Sequence, residues 1–599
     1  MDKRLAGHSF HIPVMGIGFT IDTPVKVAHY GISSVISIVD DILLEKMREF
    51  YANSIGETFT SISDKTEDFR AKRITAYLNL VDTIVKDKFD NLKSSLVEKG
   101  SEIEKYMDLL PDLSGVKQKF LEVSKQDNIK ELKDWLNEHL SPGSIDVNIM
   151  TKLDKVNYAN GEELPSIYND AHAALRGYAN STLTSSVVLS AGMNPRLYGY
   201  IEQFEDFYPN EETGDIKKKV ILKVSDYRSA LIQGKFLAKK GIWVSEYRIE
   251  SGLNCGGHAF ATDGFLMGPI LEEFKNNRQE LTNATFETYA KTLVAKERFS
   301  PAQAPEIKIT AQGGVGTAEE HKFLLDYYNI DCVGWGTPFL LVPEVTTVDK
   351  HTLTLLVDAK EEDLYLSNIS PLGVPFNSLR GNTKDLEKMA WIAKGKPGSS
   401  CPKKYLVSNT EFTKRAICSA SRQFQALKIK ELKRQDLNEE AYTKAYDKIV
   451  DKSCICVGLG TSALINNNLD MKDEGDTVSI CPGPNMAYFS KVTTPDQMIG
   501  HIYGKNNIME RTDRPNMYIK ELGMYLDYLK NKISEEATPI IPKQLRYFTK
   551  FKNNLVDGIS YYKNLYKEIN ASLVPEFDRL EKELFNIPLF REENEAILS

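Results

Sequence analysis

One stretch of the chain, GLNCGGHAFATDG at residues 252–264, sets Cys255, Gly256, Gly257 and His258 side by side directly after a run that reads as a strand. A neutral imidazole near its ordinary pKa can take a proton from a carbon acid at neutral pH. Glycines beside it let a ligand approach the backbone closely. Two further turns carry a different chemistry. AQGGVGTAEE leaves the amides of Gly313 and Gly314 free, with Thr317 placed to cap a following helix. Amides and helix dipole then point together at an anion. GWGTPF offers a second set of donors at Gly334, Gly336 and Thr337. Taken singly, each turn is explained by tight packing, and His258 by a structural hydrogen bond. Their register on successive strands is what points to a site.

That register comes from eight β-type runs: HIPVMGIGF, ISSVISIV, SIDVNIMTKL, SSVVLSAGMNP, KKVILKVSD, IWVSEYRIESG, EIKITAQGGVG and DCVGWGTPFLLV. Helical segments such as SALIQGKFLAKKG and TAEEHKFLLDYYN separate most of them. Eight alternating strands and helices predict an α/β (β/α)8 TIM barrel, whose ligands bind where strands end and βα loops begin. GLNCGGH follows the sixth run, and the two Gly-rich turns follow the seventh and eighth, where barrels commonly grip a phosphate. A phosphorylated cofactor is the expectation. Residues 41–143 break the alternation. They are rich in Lys, Glu, Asp and Leu with apolar residues at three- and four-residue spacing, which predicts a helical insertion after the second strand. The domains expected are a barrel from 1–40 and 144–382, the insertion at 41–143, and a mixed, mainly helical C-terminal region at 383–599 that contains Cys-bearing loops.

Bulk composition is that of an ordinary globular chain: 599 residues, 42% apolar, 26% charged, net charge −8. The mild acidity offers no field for nucleic acid. No apolar run approaches the length of a membrane helix, and no signal-peptide pattern opens the chain. A cytoplasmic protein without nucleic-acid or membrane partners is expected, with a small molecule as substrate.

The motifs resemble those of the nitronate monooxygenases (2-nitropropane dioxygenase-like) and the related FMN-dependent enoyl-ACP reductases. The similar stretches are PVMGIGFTIDTP, DVNIM, AGMNP, VILKVS, NCGGH, TAQGGVG, WGTPF and, after the barrel, LGVPFNSLRGN. Asn254, Cys255 and Pro338 stand where the family has Glu, Ala and Arg, and Met193 replaces a Gly. The resemblance implies bound FMN, with its phosphate on Gly313, Gly314, Gly336 and Thr337. It implies an isoalloxazine against Met15, Gly16, Asn148 and Lys223, with Gly257 allowing close approach, and His258 as general base or acid.

Seven Cys occur, five of them between 401 and 481. Four converging thiolates from Cys401, Cys418, Cys456 and Cys481, with Cys454 the less certain member of its Cys-x-Cys pair, would suit an iron–sulfur cluster or zinc. The absence of Cys-x-x-Cys spacing favours buried free thiols. Three functions are compatible: an FMN-dependent oxidoreductase (a monooxygenase) acting on a small carbon-acid or unsaturated substrate; a flavin-dependent reductase of an enoyl-type double bond, fed by NAD(P)H, an iron–sulfur cluster or another electron-transfer partner; and a scaffold with a vestigial barrel.

Overall fold

The computed structural model describes residues 7–95, 101–124, 129–151, 153–190, 192–536 and 540–589. Ala191 of the AGMNP stretch lies outside them. Eight parallel strands close a barrel: β1 (Phe10–Ile12), β2 (Ser33–Ser37), β3 (Ile145–Ile149), β4 (Ser185–Leu189), β5 (Lys218–Val224), β6 (Val244–Glu250), β7 (Lys308–Gln312) and β8 (Cys332–Gly334). Each pairs with its sequence neighbour, and β1 closes on β8 through Phe10 opposite Val333 and His11 opposite Gly334. The strands are short, β-branched and buried on both faces, as parallel strands covered by helices must be. Each falls inside a run legible in the sequence, except that β1 starts one residue ahead of its run, at Phe10. Within the barrel, Val35, Val188 and Ile221 form a small apolar plug against Val14.

The insertion is helical: Asp41–Ser54, Phe69–Ser94, Glu102–Leu109, Gly115–Ser124 and Ile129–His139. The long second helix buries Ile74, Tyr77, Leu78, Val81 and Val85 on one face, the three- and four-residue spacing of an amphipathic helix. It packs closely on the Asp170–Ala179 helix, where a Cβ on Gly177 would stand 2.8 Å from the Ala71 carbonyl oxygen. The chain re-enters the barrel through Gly143, whose amide donates to the Ala28 carbonyl at 2.7 Å. Any side chain there would collide with Ile32, 2.1 Å from its carbonyl oxygen.

After β8 the chain forms an antiparallel hairpin, β9 (Leu364–Ser367) and β10 (Phe376–Leu379), and then mostly helices. The Cys454–Cys456 pair lies at the start of the helix Ile455–Asn466, not in a loop as its composition suggests. That helix is buried almost throughout and apolar all round, so it lacks the stripe by which a surface helix is recognised. Among the described residues no single helix is long and apolar enough to cross a membrane.

Candidate active site at the barrel mouth

A cavity of about 290 Å3 opens at the C-terminal ends of the strands. Met15, Gly16, Asn148, Lys223, Gly257, His258, Gly313, Gly314, Gly336 and Thr337 all line it. The barrel brings them together from six of its eight strand ends. Asn148 and Lys223 sit within β3 and β5, and the others follow β1, β6, β7 and β8.

On one side is the anion cradle. Gly313 and Gly314 hold φ of +108° and +82°, left-handed values that favour glycine. Among the described residues the amides of Gly313, Gly314 and Gly336 donate to no protein acceptor. Thr317 caps the following helix by accepting from the Glu320 amide. Arg514 forks onto Glu320 at 2.8 and 2.9 Å and donates to the Gly314 carbonyl at 2.6 Å. The carbonyl edge of this turn is thus held while its amides remain open, which suits a phosphate.

The floor carries charge. Lys223 pairs with Glu250 at 2.7 Å, and Glu250 also accepts from the Gln312 amide group at 2.5 Å. The lysine is therefore not the lone cation the motifs suggest but half of a pair. Apolar walls come from Val14, Met150, Leu406, Ile455, Leu459 and Ile480. Open amides, an apolar slot and a polar floor together fit a phosphorylated aromatic cofactor such as FMN.

His258 stands at the rim, half-buried, with its ring edge-on to Phe376 at 4.9 Å between centroids. Its Nε2 lies 2.7 Å from the Ser370 hydroxyl, which also accepts from the Leu372 amide at 3.2 Å. The loop before it is pinned by the β9–β10 hairpin. Asn377 donates its side-chain amide to the Cys255 carbonyl at 2.8 Å and its backbone amide to Gly257 at 2.9 Å. Burial pushes the Cys255 thiol well above its usual range, so it stays protonated.

Three features of the mouth were missed in the sequence because they arrive from far along the chain. The segment Cys481-Pro482-Gly483-Pro484-Asn485 lies across it. Gly483 donates to the Thr337 hydroxyl at 2.9 Å, and Asn485 donates to the Gly314 and Val315 carbonyls at 2.8 and 2.7 Å. The buried helix Ile455–Asn466 offers the Leu459 carbonyl to the amides of Ile17 and Gly18. Glu521, buried under the Ser251–Asn254 turn, accepts from Ser251 at 2.5 Å and from the Met267 amide at 3.1 Å. Desolvation raises its carboxyl to about 7.

The four-thiolate set read from the sequence is not assembled. Cys481 lines the cavity, where its thiol meets the amides of Gly257 and Gly16. Cys454 takes its place beside Cys401, Cys418 and Cys456. Among the described residues no group of three or more His, Cys, Asp or Glu is spaced to hold a metal ion.

No family model matches this chain, and no curated protein sequence matches it. Among solved structures it is similar to FabK from Thermotoga maritima, with 15% identity, TM-score 0.30, and 68% of this chain and 84% of that one covered. The enoyl reductase domain of MlnA from the macrolactin cluster of Bacillus amyloliquefaciens gives 13%, 0.32, 68% and 87%. Nitroalkane oxidase from Streptomyces ansochromogenes gives 10%, 0.30, 63% and 84%. With TM-scores of 0.30, 0.32 and 0.30, these likenesses carry nothing about this chain's fold or function, which rest on its own strands and side chains.

Proposed function

We propose that the chain is an FMN-dependent oxidoreductase of the nitronate monooxygenase type, acting on a small carbon acid or its anion. The observation that carries this reading is the one cavity wall where open amides at Gly313, Gly314 and Gly336 face a slot that also contains His258 and the Lys223–Glu250 pair. Gly313, Gly314, Gly336 and Thr337 would hold the phosphate, and Met15, Gly16, Asn148 and Lys223 the ring. Bound FMN supplies the two-electron chemistry and the reaction with oxygen.

The residues of the chain supply the proton handling. With Nε2–H donating to the Ser370 hydroxyl in both the neutral and the protonated ring, the other ring nitrogen is the one that takes the proton. One hydrogen bond thus serves both charge states, and the imidazole keeps its orientation as it takes a proton. Phe376 and Pro482 help to keep water from the slot, which strengthens electrostatic interactions there. Glu250 balances the charge of Lys223, so a neutral floor meets the neutral oxidised ring.

The test compares a neutral nitroalkane with its preformed anion. His258→Ala should slow anaerobic flavin reduction by the neutral form roughly 10²–10⁴-fold, the range for one general base, and affect the anion much less. Equal slowing of both forms would reduce His258 to a binding group, and no slowing would place the base elsewhere.

A further inference from the structure

Four of the seven thiols meet behind the cavity, outside the machinery described above. Cys401, Cys418, Cys454 and Cys456 are each at most 5% exposed. Cys401 contacts both Cys418 and Cys454, and Cys454 Sγ lies 3.9 Å from Cys456 Sγ. The sulfurs therefore form a chain, Cys418–Cys401–Cys454–Cys456, rather than a shell. Its last member lines the barrel-mouth cavity together with Ile455 and Leu459.

Local structure brings these residues together at a cost. Cys401 holds a left-handed φ of +54°, which is strained for a residue with a Cβ. The loop carrying it is anchored by Lys403, buried between Asp40 at 2.5 Å and Glu474 at 3.3 Å. Cys418 is drawn in by a bridge between Ser399 and Ser421. Cys454 precedes the first turn of a twelve-residue helix. Hydrogen bonds from the Cys401 and Cys456 thiols, helped by the Val457 amide and the charge of Lys384, hold its pKa well below the usual thiol value. Cys456, with Cys454 as its acceptor, is held protonated. A thiolate flanked by two thiols is the arrangement that thiol–disulfide exchange requires.

We infer that Cys401, Cys418, Cys454 and Cys456 form a dithiol–disulfide store that exchanges two electrons with the group bound in the barrel-mouth cavity. The inference rests on the FMN reading only for the identity of that group. In the oxidising direction, Cys454 and Cys456 form one S–S bond and give up two protons and two electrons, which pass to oxidised FMN and leave it in its two-proton, two-electron reduced form. A bond between residues two apart at a helix start is strained and hence oxidising. The Cys401 thiol then passes its proton to Cys418, whose pKa the contact with Cys401 lowers, attacks Cys454 Sγ, forms the Cys401–Cys454 bond and releases Cys456 as a thiolate, with no further oxidant. Cys418 can repeat the exchange at Cys401. Run backwards, the same steps deliver two electrons to the cavity. No other path is evident for an external reductant, because all four sulfurs are buried away from solvent.

The test counts thiols by mass after anaerobic unfolding in an alkylating reagent, on full-length protein poised with dithionite or with ferricyanide, and records visible absorption of the same samples. The dithionite sample should show all seven thiols. The ferricyanide sample should show two fewer, with the bridged peptides containing Cys401, Cys454 or Cys456. Cys454→Ser should remove the difference between the two samples. Cys332→Ser, at a thiol bonded to His11 inside the barrel, should keep it. Seven thiols in both wild-type samples would overturn the inference, as would iron or zinc stoichiometric with the chain. Protein without flavin absorption would sink the FMN reading; a thiol count that still differed between the samples would keep the store with another group in the cavity, and an unchanged count would sink both. Flavin that bleaches and recovers with no change in thiol count would sink the store alone.

Discussion

Adding the same methyl group to three glycines of one loop should give two different outcomes. A Cβ on Gly252 would lie 2.2 Å from the Phe260 carbonyl oxygen and 2.4 Å from the Tyr525 hydroxyl. On Gly256 it would lie 2.7 Å from the Cys481 carbonyl oxygen. Both collide with backbone, which must shift, and overpacking of this kind costs about 1–3 kcal/mol or more. Gly257 differs. Its φ is +74°, yet nothing stands within 4 Å of a Cβ there. Gly257→Ala should cost only the left-handed penalty, about 1–2 kcal/mol, against a total stability on the order of 5–15 kcal/mol. The protein should remain folded. A ring lying against that loop would meet the new methyl. If it loses the equivalent of one hydrogen bond, about 1–1.5 kcal/mol, FMN should bind roughly 5- to 15-fold more weakly. Urea unfolding of the flavin-free proteins and titration with FMN measure the two effects separately. FMN binding by Gly257→Ala as tight as wild type would refute the placement of the ring. Wild-type stability in Gly256→Ala would refute the account of the covering segment.

Glu521→Gln should alter the pH dependence of stability. The carboxyl is raised from 4.5 to about 7 in the folded protein, so the folded state binds its proton more tightly than the unfolded chain. Its contribution is full below pH 4.5 and is lost as pH rises through 7, about 3 kcal/mol in all; the Gln variant should lack this loss when urea midpoints are compared from pH 4.5 to 8. Lys403→Met leaves the buried Asp40 and Glu474 carboxylates without this partner and should destabilise by about 3–5 kcal/mol, read by the same assay. Ser370→Ala removes the partner of His258 Nε2 and should lower the rate about tenfold, the worth of one hydrogen bond. The loss should be smaller than that of His258→Ala on the same substrate.

The barrel was legible because its information is local. Six of the eight strands end on or just before Ser or Gly, and the insertion announces itself by its amphipathic spacing. What covers the barrel was not legible. Gly256 reads as room for a ligand, but its space is taken by Cys481 and Gly483, more than two hundred residues away. The helix Ile455–Asn466 has no polar face to give it a period. The thiols were chosen by composition, whereas the contacts that decide them run through the Ser399–Ser421 bridge and the Lys403 ion pair, and neither has a signal in sequence spacing. Lys223 could be read as a cation, but its partner Glu250 becomes a neighbour only when β5 and β6 pair.

The central claim is that the cavity at Gly313, Gly314, Gly336 and His258 binds FMN. Visible absorption of the purified full-length chain, with the cofactor released by unfolding and identified by mass, tests this most directly. The account predicts a yellow protein that releases FMN in an amount equal to the chain, or takes it up to that amount when it is added. A colourless, folded protein that takes up no added FMN would contradict it.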